Sequence, residues 1–163
     1  MSTIDGQDFK NWFGNSKIVD AAGIPLRLYH GTEAQKIDVF DRDRVGEQFH
    51  QDERGFFFTD SETEAEGYAR NTSYGLPRET PGAVVSVYLS LQNPLIVEID
   101  MDPVNEWDNN HAEIQRKATE GGHDGIVVKA KKYSSMYVAF DPAQIMILEQ
   151  RPAARFEAIP RRP

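Results

Sequence analysis

Leu26-Arg27-Leu28-Tyr29-His30-Gly31-Thr32 is the stretch on which the fold turns. Leu26 to His30 reads as a short strand, and the histidine leaves it with a glycine directly behind. That pairing sets a fixed imidazole donor beside an uncrowded backbone N–H and C=O, a combination suited to a flat polar ligand pressed against main chain. A lone histidine after a strand is usually just a solvated or capping residue, so the meaning of His30 depends on what surrounds it.

Downstream, Gly55-Phe56-Phe57-Phe58-Thr59 reads as a second strand. Ser61-Glu62-Thr63-Glu64 then has capping-box spacing and opens a helix expected to run to about Arg70, with Tyr68 on the same face as Ala65. Upstream, residues 8–14 place Phe9, Trp12 and Phe13 at i, i+3 and i+4, a short amphipathic helix that Gly14 can end. Residues 19–25 form a turn into the His30 strand. Residues 37–40 are expected to be extended, 41–54 a charged loop over a cleft, and 74–81 a Gly/Pro-rich loop. Further strands are expected at 83–91, 95–99, 126–128, 136–140 and 145–148, with a second helix over 112–119 stopped by Gly121-Gly122. Strands dominate, no βαβ alternation is visible, and no Gly-rich loop joins a strand to a helix, which disfavours a Rossmann site. The expectation is an α+β domain over residues 1–150, with split, packed antiparallel sheets and few peripheral helices.

The 163 residues suffice for one domain, and 39% hydrophobic content supports a packed core. With no cysteine, disulfides, thiolate metal sites and a cysteine nucleophile are excluded. No apolar run approaches a membrane span, and residues 1–5 lack the basic and apolar regions of a signal peptide, which points to a cytoplasmic workplace. The net charge of −8 argues against broad binding to a nucleic-acid backbone. Residues 151–163 carry Arg151, Arg155, Arg161 and Arg162 against Glu157 alone, and read as a flexible basic Pro/Arg-rich tail.

Each candidate residue also has a plainer reading. Gly55 serves as a turn glycine, Phe57 and Tyr68 as core aromatics, and Thr32 as a turn cap. His50, His111 and His123 lack metal-ligand spacing, so no metal site is expected. Asn71-Thr72-Ser73 is a formal glycosylation sequon without an export signal behind it.

Taken in order, Phe9-Lys10-Asn11-Trp12-Phe13-Gly14, Gly23-Ile24-Pro25, Leu28–Thr32, Gly55–Ser61, Tyr88–Leu95, His123-Asp124-Gly125-Ile126 and Tyr137–Ile145 resemble the ADP-ribosyltransferase-like domains of phage polyvalent proteins, relatives of bacterial toxins and effectors. The resemblance covers roughly Phe9 to Leu148. The wider group is the diphtheria-toxin and poly(ADP-ribose) polymerase branch, marked by a His-Tyr-Glu triad. It implies that His30 hydrogen-bonds the adenosine ribose of NAD and that Gly31 pairs its main chain with the nicotinamide carboxamide, with Thr32 beside it. Phe57 stands at the first tyrosine position and Tyr68 at the second, so that two aromatic faces hold a cationic nicotinamide ring at about 1–2 kcal/mol per desolvated face. Met136 stands where that group carries its catalytic glutamate. Loss of such a group costs about 3–4 kcal/mol of transition-state stabilisation. Asp52, Glu53 and Asp124 are the acids considered as its replacement.

The resemblance implies a soluble, NAD-dependent mono-ADP-ribosyltransferase of the phage or bacterial effector and toxin type, working as a monomer in the cytoplasm or delivered into a host cell. Its acceptor is expected to be a protein before a nucleic acid. A non-catalytic NAD-binding or protein-interaction module, motivated by Met136, and an NAD glycohydrolase are the alternatives.

Overall fold

A computed structural model of the chain describes residues 6–32, 55–70 and 82–153. The expected extension at 37–40, the loops at 41–54 and 74–81, His50, and the tail from 154 onward lie outside these residues.

Helix α1 (Gln7–Phe13) forms as its apolar spacing predicts, and Gly14, at φ 53°, ends it with its N–H on the Lys10 carbonyl. Its rings pack together, Phe9 on Phe13 at 5.3 Å, with Tyr88 edge-on to Phe9. The Trp12 indole donates to the Ala143 carbonyl at 2.7 Å. Ser90 Oγ donates to the Trp12 carbonyl, and Gln92 Nε2 to that of Phe13. The Ser90–Gln92 corner is thus a polar clamp on the helix.

Strands β1 (Leu28–Thr32), β2 (Phe56–Thr59), β3 (Ala83–Leu89), β4 (Leu95–Ile99), β5 (Gly125–Ala130), β6 (Met136–Ala139) and β7 (Ile145–Pro152) make one sheet in the order β4-β5-β6-β2-β1-β3-β7. Helix α2 (Glu62–Arg70) follows β2, and α3 (Pro103–Glu120) follows β4. The α+β class is as expected, but the two sheets are halves of a single ladder. β1 runs beside β3 through five residue pairs and touches β2 through one, Tyr29 with Thr59.

Three further expectations are corrected. β4 and β5 are parallel, joined through α3, so the chain contains one βαβ unit. The helix expected at 112–119 begins at Pro103, capped by Asp102, whose carboxylate accepts from the Val104 N–H at 3.0 Å. Asn110, at φ −132°, interrupts it midway and breaks its apolar period. β7 also extends past residue 148, and Arg151 within it pairs with Glu66 at 2.6 Å and Glu62 at 3.0 Å on α2.

Side chains alternate across the sheet as a period of two requires. On one face Leu28, Phe56, Phe58, Val85, Val87, Tyr137 and Ala139 form the largest core cluster. On the other, Ile126, Val128 and Val138 lie beneath Trp107, Ile114 and Ala118 of α3, while Val84 and Ala153 lie beneath Ala65 and Ala69 of α2. Both longer helices therefore share one face. Among the described residues no helix is long and apolar enough to cross a membrane.

Candidate active site

A cleft opens on the helix-bearing face where β1 and β2 part. His30 spans the parting: its Nδ1 lies 2.7 Å from the Phe57 carbonyl oxygen. A carbonyl only accepts, so Nδ1 carries the proton and Nε2 the lone pair. The ring is enclosed by protein even though the residue keeps some surface in the cleft. Burial lowers its pKa below the usual histidine value against the opposing pull of the Phe57 carbonyl, which keeps the imidazole neutral at pH 7.

Gly31 lets α2 lie directly on β1. A Cβ at this position would stand 1.9 Å from the Ala65 carbonyl oxygen, inside backbone. That close approach brings two side chains of α2, Glu64 and Tyr68, into the cleft wall. They are four residues apart and so share a helix face. Ser61 caps α2 as its spacing predicts, Oγ accepting from the Glu64 N–H at 3.1 Å. The second half of the capping box does not form between these residues. Thr59 Oγ1 accepts from the Ser61 N–H instead, and the Glu64 carboxylate accepts from Ser134 Oγ at 2.6 Å.

The opposite wall is Met136 of β6, Ser134 before it, and Asp102, Pro103 and Val104 at the start of α3. Phe57 lines the floor with its ring edge-on to Trp107 at 5.1 Å. It is therefore at once a core aromatic and a cleft residue. Tyr68 is 41% exposed, yet its hydroxyl pKa is pushed up to about 12 by burial and then by the charges of Glu64, Asp102 and Asp108. The cleft is negative at its Tyr68 end, a field that favours a cationic ring. Just outside it, Asp60 accepts from the Ser135 N–H at 3.0 Å, and burial raises its pKa.

His30, Gly31, Phe57, Tyr68 and Met136, distant in sequence, all line this one cleft. Thr32 does not: it is buried at the end of β1 and absent from the lining. Asp124 is also elsewhere, its carboxylate accepting from the Gln92 and Asn93 N–H groups at 2.7 and 2.9 Å, a turn-holding role. Asp52 and Glu53 lie outside the described residues. Among the described residues no group of His, Asp and Glu could hold a metal ion. Glu64, Ser134 and Asp102 are the cleft residues the sequence reading missed. The i, i+4 spacing of Glu64 to Tyr68 was the available signal for the first.

A search of curated proteins finds no match to this chain. The model of one family, ADP-Ribosyltransferase in polyvalent proteins, matches residues 20–151, a span that holds every described cleft residue and excludes α1. The chain belongs to this ADP-ribosyltransferase family.

Proposed function

We propose that the protein is a mono-ADP-ribosyltransferase that uses NAD as its co-substrate and modifies a protein of a host or competitor, as a phage or bacterial effector. The observation that carries the reading is the convergence of His30, Phe57 and Tyr68 on a single cleft in a chain of this family. The residues fit the co-substrate. Nε2 of a neutral His30 can accept a hydrogen bond from a ribose hydroxyl, and the faces of Phe57 and Tyr68 suit a flat cationic ring. Main chain at Gly31 lies in the cleft wall for the carboxamide. Binding there would hold the nicotinamide riboside out of water and align its ribosyl carbon with an incoming side chain.

Met136 favours a second reading, a binding module on the same scaffold, because a thioether cannot take the part of a carboxylate. Incubation with NAD labelled in its adenylate half and a host lysate separates the possibilities. Label transferred to protein is the expected outcome, and His30→Ala should abolish it. Nicotinamide released without transfer indicates a glycohydrolase. Absence of both products, with NAD still bound, leaves the binding module.

A further inference from the structure

We propose that Glu64 supplies the carboxylate that the strand position of Met136 lacks, an inference that rests on the transferase reading. Three observations support it. Glu64 lines the cleft together with His30, Tyr68 and Met136. Its carboxylate accepts from Ser134 Oγ at 2.6 Å, which ties α2 to the segment two residues before Met136 and aims the acid at that wall. The capping role that Ser61-x-x-Glu64 spacing invites is relieved by Thr59, so the side chain is directed into the cleft rather than back along the helix.

Three other described acids are committed differently. Asp102 accepts from the Val104 N–H as the cap of α3. Asp60 holds the Ser135 N–H from outside the lining, and Asp124 holds the Gln92–Asn93 turn. The Glu64 carboxylate instead accepts from a hydroxyl, which can rotate to follow a second hydrogen bond, rather than from the backbone amide of a cap or turn.

In the transfer, the bond from the ribosyl carbon to the pyridinium nitrogen breaks with both electrons passing to nitrogen, and neutral nicotinamide leaves. Positive charge grows on the ribosyl carbon as it does so. Glu64 offsets that charge and accepts a hydrogen bond from the adjacent ribose hydroxyl. The acceptor's nucleophilic atom then donates its electron pair to the carbon, and its proton passes through the Glu64 carboxylate to solvent. Ser134 is a positioning residue, acting through Glu64.

The test compares wild type, Glu64→Gln, Ser134→Ala and Glu64→Gln with Met136→Glu for nicotinamide release and label transfer, alongside NAD binding and thermal unfolding. Glu64→Gln should lower kcat about 100-fold or more, with a much smaller loss of NAD affinity and an unfolding midpoint close to wild type. Ser134→Ala should give a smaller loss confined to kcat. Glu placed at 136 should recover part of the Glu64→Gln loss. An active wild type whose Glu64→Gln variant keeps kcat within about threefold overturns the inference and leaves the transferase reading standing. A wild type that binds NAD and releases no nicotinamide overturns both.

Discussion

The neutral imidazole of His30 ties catalytic geometry to stability. Its folded-state pKa lies below the unfolded value because burial opposes charging, so the unfolded chain takes up the proton first as pH falls. His30 thus costs stability progressively below pH ~6.5, down to its folded pKa. Urea midpoints of wild type and His30→Ala should therefore draw closer between pH 7.5 and 5.5. A constant gap would mean an unshifted ring, and a gap that widens with acid would mean that the native fold favours the charged ring. Tyr68 poses a different question, since its proposed use is a face and not a hydroxyl. Tyr68→Phe should bind NAD as wild type does, while Tyr68→Ala should lose about tenfold in affinity, the equivalent of 1–2 kcal/mol for one aromatic face. Equal losses in both variants would assign the contribution to the hydroxyl. At this scale the sequence was informative wherever chemistry and spacing agreed, as for His30, Phe57 and Tyr68. Glu64 was hidden because a serine three residues before it gave a sufficient local explanation, and only tertiary structure shows Thr59 taking that task.

Element packing sets how precisely the cleft can be held. Helix and strand come close at Gly31, where α2 lies against β1 with no room for a methyl group. Gly31→Ala must push α2 outward and should cost about 3 kcal/mol, the upper end for an overpacked site. Chemical denaturation would measure it, and a cost under about 1 kcal/mol would mean that α2 moves easily. Gly55 is constrained in another way: it adopts φ 107°, and a Cβ there would stand 2.7 Å from the Ala139 carbonyl oxygen. Both glycines were visible in sequence, one assigned to ligand contact and the other to a turn, but the contact that requires Gly31 is made by a helix more than thirty residues away in the chain. The βαβ unit was illegible for a related reason. Asn110 interrupts the period of α3, and the start signal, Asp102 before Pro103, stands eight residues ahead of that break, so half the helix was read and the crossover it makes was not.

Across the whole molecule, one residue pair joins the two halves of the sheet in the ladder, and the cleft takes its walls from both. Besides the polar bridge from His30 to Phe57, an apolar cluster joins them. Leu28 of β1 shares a cluster with Val85 and Val87 of one half and with Phe56, Phe58, Tyr137 and Ala139 of the other. Within the β1-β3-β7 half, Arg151 ties β7 to α2 by pairing with Glu66, only 14% exposed, and Glu62. Because one core spans the parting, the halves should unfold together rather than in turn. The two tryptophans report on opposite ends of the sheet, Trp12 beside Ala143 and Trp107 under the β4–β5 edge. In Trp12→Phe and Trp107→Phe, the fluorescence of the remaining tryptophan should lose its native signal at the same denaturant concentration as far-UV circular dichroism. Leu28→Ala, at a site with no exposed surface, should lower stability by about 3 kcal/mol and shift both probes equally. Separation of the probes in that variant would show that the apolar cluster around Leu28, and not the polar bridge from His30 to Phe57, is what makes the two walls of the cleft a single cooperative body.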